Sequence, residues 1–217
     1  MSPHVDPVKL KLYTGEGAAG TGIGKLAAAF ASDPRIAIEC LDEKQIRQGI
    51  PAAGAVLFPG GSGSGQAAAL GETGKQNLLD YVACGGNYIG ICAGGYLASR
   101  NNAGALGLSP VDIVDLEHWR RGELLLPVEL TAAGAAFFGV RRRHWQMHFA
   151  NGPIVRQPEN SRPGGIEVLA LFRGETLENG ALPGLQLNSP AIWCNGYGRG
   201  RVLIFSAHPE HCVETAG

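Results

Sequence analysis

A cysteine between two glycines, at the end of an apolar run, is the first feature of the sequence that could do chemistry. Cys92 stands in GICAG, residues 90–94, which has the form Gly-x-nucleophile-x-Gly. That form is typical of a sharp strand-to-helix turn, because the glycines keep side chains away from the tight corner. The start of the following helix favours the thiolate, and the N–H of Ala93 would lie beside the sulfur as an oxyanion donor. A buried structural cysteine is the alternative reading.

A base and an acceptor for that thiol stand close together near the end of the sequence. His208 and Glu210 lie in SAHPE, residues 206–210, directly after an apolar run. A thiol nucleophile needs a base that takes its proton, and the base needs an acceptor that orients it. We therefore expect Cys92, His208 and Glu210 to meet in one cleft, although an exposed loop would also explain HPE on its own.

Two adjacent glycines follow a short apolar run nearer the N-terminus. Gly60 and Gly61 stand in PGGSG, residues 59–63, after the run AVLF. Residues without a Cβ let backbone N–H groups point into a cleft, which is the geometry that an oxyanion hole requires. We expect Gly60 and Gly61 to supply such N–H groups; a flexible turn is the alternative.

Another glycine-rich stretch suggests a competing function. GEGAAG, residues 15–20, matches GxGxxG between a strand and a helix, and Glu39 lies about 20 residues further on, where an acid that binds a ribose would stand. The match is weak because the chain contains 33 glycines, so chance matches are expected. We favour a plain glycine turn over dinucleotide binding.

Alternating strands and helices in the first half would carry these residues. Apolar runs predict strands at 8–13, 35–41, 54–61 and 87–92, and helical patterns lie at 22–32, 42–48 and 72–86. This alternation is typical of a parallel sheet that helices cover on both faces. The second half predicts strands at 124–131, 145–156, 167–174 and 190–208 in antiparallel hairpins, with a mobile loop at 157–165.

The predicted sheet also predicts where a ligand would bind. In an open α/β sheet, ligands lie beyond the carboxyl ends of the strands, near the point where the strand order reverses. The loops after residues 13, 58, 92 and 205 should therefore form the site, and all four hold the stretches described above. No linker separates the halves, so we expect one domain over residues 1–217.

The composition excludes several classes of function. The net charge is -1, and the basic run Arg141–Arg143 is too short to bind nucleic acid by itself. No apolar run reaches the roughly 18 residues of a membrane span, and the N-terminus lacks a secretory pattern. The five cysteines have no metal-ligand spacing, which predicts free thiols, no metal site and a cytoplasmic location.

Taken together, the motifs resemble those of the class I glutamine amidotransferase-like superfamily. They are LFPGG (57–61), GICAG (90–94) and GRGRVLIFSAHPE (198–210), in that order, and the resemblance covers most of the chain. It implies an α/β fold, with a flavodoxin-like, mostly parallel sheet, helices on both faces and added antiparallel hairpins. It also implies a Cys–His–Glu triad and an oxyanion hole, which fall on Cys92, His208 and Glu210, and on Gly60, Gly61 and Ala93.

Within the superfamily, the chain is most similar to the domain at the N-terminus of some biotin–protein ligases, which also occurs alone. The stretches that carry this resemblance are LYTGEG (12–17), PGGSG (59–63), YVACGGNYIGICAGGYLAS (81–99) and FANGP (149–153). GRGR, residues 198–201, is like the biotin-site motif of the ligase catalytic domain, but its place before the last apolar run favours a hairpin turn.

One departure from the superfamily bears on the substrate. Glutaminases of this class usually carry Gln four residues after the nucleophile, and this chain has Tyr96 there. Glutamine is therefore a poor candidate substrate. We predict a cysteine-nucleophile amidase or acyl-transfer enzyme that acts without a cofactor on a small-molecule amide or acyl substrate. The alternative is a binding or regulatory module without turnover.

The pocket around the nucleophile is predicted less sharply. Its candidate residues are Tyr96, Gly15, Gly17 and Asn151, and the strand ends add His148, Trp193 and Asn195. The last three have only their positions to support them, and His148 and Trp193 would fit a core equally well. The sequence predicts no nucleic-acid or membrane partner and leaves a protein partner or a homodimer open.

Overall fold

The structure, a computed structural model, describes residues 6–157 and 165–211. The strands are β1 (Val8–Tyr13), β2 (Ile36–Leu41), β3 (Ala55–Phe58), β4 (Asn87–Ile91), β5 (Asp112–Ile113), β6 (Glu123–Leu130), β7 (His144–Ala150), β8 (Val155–Arg156), β9 (Glu167–Phe172), β10 (Pro190–Tyr197) and β11 (Gly200–Phe205). The helices are α1 (Gly20–Ala31), α2 (Glu43–Gln48), α3 (Gly63–Ala83), α4 (Ala93–Ala98) and α5 (Ala132–Phe138), with 3₁₀ helices at Glu178–Gly180 and Pro209–His211.

Nine of the described strands form one sheet in the order β2-β1-β3-β4-β11-β10-β9-β6-β7. The first five strands of that order are parallel, and β10, β9, β6 and β7 continue the sheet as antiparallel neighbours. From β1 the chain goes to β2 on one side and then to β3 on the other, so the strand order reverses at β1. The fold is therefore the predicted flavodoxin-like sheet with added hairpins.

Helices cover both faces of the parallel part of the sheet. Leu12 faces α1 and packs in a cluster with Leu26, while Tyr13, the next residue, packs on the other face with residues of α2 and α3. Tyr13 stacks on Phe58 and Phe58 on Tyr88, with ring centroids 4.5 and 5.5 Å apart, across the adjacent strands β1, β3 and β4. Since both faces are buried, these strands read as continuous apolar runs.

Several element boundaries differ from the sequence-based prediction. The helix predicted at 72–86 begins at Gly63, with Ser62 as its N-cap, and contains a break at Gly71. The strand predicted at 145–156 divides into β7 and β8, and α5 was missed. Gly63–Leu70 is rich in glycine and alanine and has no apolar stripe, so its helix depends on the cap and on packing.

Two further observations concern the cysteines and the length of the helices. The four cysteines within the described residues are free thiols, whereas Cys212 and most of the predicted loop at 157–165 lie outside that part of the chain. Among the helices that the structure describes, none is both long and apolar enough to cross a membrane.

Candidate functional site

Cys92 lies on a sharp corner between β4 and α4. Its backbone has φ +48°, in the region that L-residues rarely adopt, and its N–H donates to the Phe205 carbonyl at 2.9 Å. A Cβ on Gly90 would lie 2.7 Å from the Gly94 carbonyl oxygen, and one on Gly94 would lie 2.4 Å from the Phe58 carbonyl oxygen. The two glycines therefore allow the close backbone approach that forms the corner, as the motif predicts.

His208 interacts with both Cys92 and Glu210. It follows β11, the strand next to β4, and its ring hydrogen-bonds with the side chain of Cys92. The Nδ1 atom of His208 lies 2.8 Å from Oε1 of Glu210. Its backbone N–H donates to the His148 carbonyl at 2.7 Å, which joins the end of β11 to β7. The three side chains expected in one cleft therefore meet: the imidazole of His208 contacts the thiol of Cys92 and the carboxylate of Glu210.

The environment of His208 raises its pKa from 6.5 to about 10. Burial is the largest single effect, and by itself it would lower the pKa of His208, since it disfavours the charged ring. The hydrogen bonds to Cys92 and Glu210, together with the negative charges of those groups, outweigh burial and raise the pKa. The folded protein therefore holds the proton on the His208 ring more tightly than an ordinary imidazole does.

Glu210 is placed by the 3₁₀ helix Pro209–His211 against the first turn of α1. A Cβ on Gly22 would lie 3.5 Å from Oε1 of Glu210, and the carboxylate is almost wholly buried. The N-terminal end of a helix stabilises a nearby negative charge. Within the described residues, Oε2 of Glu210 has no hydrogen-bond partner.

Two backbone loops fix the orientation of Gly61. The Ala19 N–H donates to the Gly60 carbonyl at 2.9 Å, and the Ser62 N–H donates to the Gly17 carbonyl at 2.8 Å. Gly61 has φ +138°, and a Cβ there would lie 2.1 Å from the Gly17 carbonyl oxygen, so the position requires glycine. Gly61 lines the cavity next to Cys92.

Of the other two expected oxyanion residues, Gly60 is absent from the cavity lining and Ala93 lies beside Cys92 as expected. Gly60 packs against the ring of His208, since a Cβ there would be 2.6 Å from Cε1 of that ring. Ala93 is buried at the first position of α4, directly after Cys92. As the first helical residue, Ala93 has a backbone N–H without a partner inside the helix.

A cavity of about 320 Å³ opens beside Cys92. Its lining combines loop glycines, hydroxyls, amides and two exposed apolar side chains, and the residues are Gly61, Ser62, Gly63, Ser64, Cys92, Tyr96, Asn102, Leu116, Trp119, Ala150 and Asn151. Tyr96 and Asn151 were expected there from the sequence. Ser62, Ser64, Asn102, Leu116, Trp119 and Ala150 were missed; a tryptophan within the irregular stretch 99–122 was the one available signal.

Tyr96, Ala150 and Asn151 form the wall opposite the glycine loop. The Tyr96 hydroxyl donates to the Asn151 carbonyl at 3.1 Å, and burial raises its pKa above the ordinary value, so it remains a donor. Asn151 has φ +55°, and its Oδ1 accepts from the Gly122 N–H at 2.9 Å. The Cys92 thiol donates to the Ala150 carbonyl at 3.5 Å.

The remaining expected residues lie away from the cavity lining. The Gly17 carbonyl accepts from the Ser62 N–H, and Gly15 lies next to the carboxylate of Glu43. The buried side chains of Trp193 and Asn195 donate to Ser109 and to the Leu108 carbonyl.

His148 and the GRGR stretch also have clear positions. His148 stacks on His211 with ring centroids 4.9 Å apart, and its Nε2 lies 3.1 Å from Glu123. GRGR forms the turn between β10 and β11, at the end of β11 that lies away from His208. The Arg199 N–H there donates to the Ala83 carbonyl.

One group of side chains at the site has the donor types of a metal site. Ligand atoms of His208, Glu210 and His211 all lie within 4.8 Å of one another. His208 and Glu210 are already hydrogen-bonded to each other, so a metal there would compete with the arrangement around Cys92. The geometry fits attack of a thiol on a carbonyl carbon, with a base in contact and N–H groups close by.

Comparison with protein families places the first part of the chain in a known family. Residues 8–139 match the family model described as "Biotin-protein ligase, N terminal". The matched stretch includes Cys92, Gly60, Gly61 and Tyr96, and it ends before His208. The chain is also 28% identical over 185 residues to the biotin–protein ligase of Schizosaccharomyces pombe, with 76% of this chain covered. It spans about a quarter of that relative's length, 27%.

Solved structures with low sequence identity share the fold. The structure of PurLQS from Thermotoga maritima superposes with a TM-score of 0.70 at 14% identity, covering 97% of this chain and 91% of that chain. An exo-β-1,4-mannosidase from Opitutaceae bacterium strain TAV5 gives a TM-score of 0.56 at 12% identity, covering 95% of this chain and 32% of that chain. The same fold therefore occurs in proteins of different activity, and the likeness indicates fold alone.

Proposed function

The chain belongs to the biotin-protein ligase N-terminal family, and from that premise we propose that it is a thiol-dependent amidase or acyl-transfer enzyme with Cys92 as nucleophile. The single observation that supports this most is the contact of one imidazole with both a thiol and a buried carboxylate. Such a chain of three groups is a general means of activating a nucleophile. A structural cysteine would need neither partner.

The proposed reaction has two steps, each with its own proton transfer. The Cys92 sulfur attacks the carbonyl carbon, the C–N bond breaks, and His208 gives its proton to the leaving amine. The acyl group is then a thioester on Cys92. Water, or an acceptor amine or alcohol, attacks that thioester while His208 takes its proton, and the C–S bond breaks to release the acid or the transferred acyl product.

Backbone donors and Glu210 support these steps. The N–H groups of Gly61 and Ala93 stabilise the negative charge on the carbonyl oxygen, and one such donor is worth about 10²–10³ in rate. Glu210 holds the ring so that Nε2 faces the sulfur, and its charge stabilises the imidazolium. Gly60 contributes by leaving space for the ring, because a Cβ there would touch His208.

An activated ester tests this proposal without knowledge of the natural substrate. With p-nitrophenyl acetate, the wild-type protein should give a burst of p-nitrophenolate and an acetyl group that peptide mass analysis locates on Cys92. Cys92→Ala should remove both signals, and His208→Gln should slow the burst by at least 10²-fold. The matched control is Cys84→Ala, which removes an exposed thiol far from the site and should leave the burst unchanged. A full burst from Cys92→Ala would overturn the proposal.

A second candidate is a binding or regulatory module that retains the corner but has no turnover. It is favoured by Tyr96, which stands where glutaminases carry Gln, and by the Cys92 thiol, whose proton is held by the Ala150 carbonyl. In this form the module would act beside a biotin–protein ligase, as the name of the curated relative suggests.

The pH dependence of alkylation separates the two candidates. A nucleophile paired with an imidazolium should react with iodoacetamide nearly as fast at pH 6 as at pH 8. A module should show a rate that rises with pH like an ordinary thiol of pKa about 8.5. The site of labelling is read by peptide mass analysis, because Cys40 and Cys84 are exposed and will also react.

A further inference from the structure

The cavity beside Cys92 is lined without a charged side chain. Among the described residues that line it there are hydroxyls from Ser62, Ser64 and Tyr96 and amides from Asn102 and Asn151, but no Asp, Glu, Lys, Arg or His. A charged ligand group that packs against these lining side chains, away from the His208 ring, would lose water and gain no opposite charge from them, which is costly. Uncharged polar groups would find donors and acceptors along the same wall.

Two large apolar side chains form the outer lip of this cavity. Leu116 and Trp119 line it and yet remain 44% and 41% exposed. They come from the irregular stretch between β5 and β6, so no regular element requires them to lie over Cys92. An indole and an isobutyl group together offer an apolar surface that water covers unless a ligand does.

A buried ion pair holds this lip in place. Nη1 of Arg121 lies 2.9 Å from Oδ2 of Asp115, and both side chains are almost wholly buried. Asp115 also accepts from the His118 N–H at 2.9 Å, and Nη2 of Arg121 donates to the Leu182 carbonyl at 3.0 Å. Leu116 and Trp119 therefore lie between two fixed residues, Asp115 and Arg121.

Three charged groups near the lip are paired or stacked. Arg121 and Asp115 neutralise each other, and the Arg120 guanidinium lies over the Trp119 ring, 4.9 Å from its centroid. Arg120 does not line the cavity, and it covers one face of the indole. The lip thus presents an apolar surface on a braced backbone.

We propose that the cavity selects uncharged amide or acyl donors with an apolar body, and that Trp119 and Leu116 determine this specificity. The proposal rests on the proposed function, since it assumes that the carbonyl of the donor reaches Cys92. The apolar body packs against the lip, and the polar atoms next to the carbonyl meet the hydroxyls and amides. Free glutamine fits poorly, because its ammonium and carboxylate are both attached to a carbon close to the amide group and would enter the uncharged lining.

Matched alkylating reagents test the selectivity. Iodoacetamide, N-benzyl iodoacetamide, iodoacetate and an iodoacetamide that bears a free amino acid group share one reacting carbon and differ in charge and apolar area. Each rate at Cys92 is divided by the rate of the same reagent with glutathione. We expect N-benzyl iodoacetamide to react about tenfold faster than iodoacetamide, and the iodoacetamide with the free amino acid group at least tenfold slower. Iodoacetate, whose carboxylate is next to the reacting carbon, reports separately on the charge of the His208 ring. Equal corrected rates would overturn the proposal.

Variants of the lip assign the selectivity to its residues. Trp119→Ala and Leu116→Ala should remove the preference for the benzyl reagent, so that its corrected rate at Cys92 falls to that of iodoacetamide. Leu182→Ala is the matched control, because Leu182 is 55% exposed but does not line the cavity. Trp119→Phe should keep most of the preference, and the melting temperature of each variant shows whether it is folded. A preference that survives Trp119→Ala in a folded protein contradicts the proposal.

The acyl-enzyme experiment keeps the two proposals apart. A preference for neutral apolar reagents without any acetyl transfer to Cys92 means that the proposed function fails and the cavity is a binding site. Acetyl transfer together with equal rates for charged and apolar reagents means that the function stands and the selectivity is wrong.

Discussion

Cys92 is held in a conformation that costs free energy. Its φ of +48° lies in a region where non-glycine residues are strained by of order 1–3 kcal/mol. The cost is offset by close backbone contacts through Gly90 and Gly94 and by the hydrogen bond to Phe205 on the adjacent strand. Strain that the surrounding structure maintains is typical of functional sites. A cysteine that only filled the core would have no need of it.

Gly60→Ala tests the position of the base. The new Cβ would lie 2.6 Å from Cε1 of His208, so the ring must move by several tenths of an ångström. We expect the burst with p-nitrophenyl acetate to slow by about 10²-fold, because small displacements at a reacting centre cost that much. Gly24→Ala is the control, since its Cβ meets nothing within 4 Å and its helix should gain about 1 kcal/mol. Equal bursts from both variants would mean that His208 does not act as the base.

Glu210→Gln tests the carboxylate with little change of shape. The variant keeps a hydrogen-bonding group next to Nδ1 but removes the negative charge that helps to raise the pKa of His208. We expect the iodoacetamide rate at pH 6 to fall at least tenfold relative to that at pH 9, and the burst to slow by 10²–10⁴-fold. A pH profile identical to that of the wild-type protein would show that Glu210 has no part in activating Cys92.

At the scale of elements, the chain places each candidate functional group shortly after a strand. Gly61 follows β3, Cys92 follows β4 and His208 follows β11, and these three strands are neighbours in the sheet. The carboxyl ends of adjacent parallel strands lie on the same side of the sheet, so the loops that follow them lie close together. The antiparallel β7 brings Ala150 and Asn151 to the same place through the bridge between His148 and His208.

The helix cap at Asp42 provides a stability test away from the site. Asp42 accepts from the Gln45 N–H at 2.8 Å, and its own N–H donates to the Gln45 side chain at 2.9 Å, which is a capping box at the start of α2. We expect Asp42→Ala to lower the free energy of unfolding by about 1 kcal/mol in urea melts and to leave the burst unchanged. Asp42→Asn should be nearly neutral because Asn caps equally well. A loss as large for Asn as for Ala would contradict this role.

The sequence was informative wherever an element buries two faces or ends at a turn residue. The strands before Gly60, Cys92 and His208 read as apolar runs because both of their faces are covered, so the loops that follow could be located. The lip could not be predicted, since Leu116 and Trp119 lie in a stretch without periodicity whose course depends on Arg121 reaching Asp115 and Leu182. Gly15 and Gly17 were expected in the pocket, but they lie behind the loop that they support.

At the scale of the whole molecule, His208 makes stability depend on pH. Its pKa is about 10 in the folded protein and 6.5 ordinarily, so the folded state binds the proton more tightly. The resulting stability is fully present below about pH 6.5 and is lost as the pH rises through about 10. We expect the difference in free energy of unfolding between wild type and His208→Gln to be largest near pH 6 and to shrink steadily up to pH 10. A difference that grows with pH would contradict the charged ring.

At acidic pH, stability is lost through carboxylates that are paired in the folded protein, and Glu129 is an example. Hydrogen bonding to Arg173 lowers the pKa of Glu129 below its ordinary value of 4.5. Its contribution is present above that value and is lost as the pH falls through the lowered pKa. Glu129→Gln should therefore destabilise the protein slightly at pH 6, and progressively less as the pH falls through the lowered pKa of Glu129, as measured by urea melts. The effect should be small because water screens this pair.

The adjacency of β4 and β11 also determines when during synthesis the chain becomes reactive. About half of the chain separates Cys92 from His208, so the thiol leaves the ribosome long before its base. The last strand must then dock between β4 and β10, a closure of high contact order that is slow compared with local folding. Under the proposed function, Cys92 lacks its base until that strand docks. The rate at which Cys92 is labelled during refolding should then report the completion of folding.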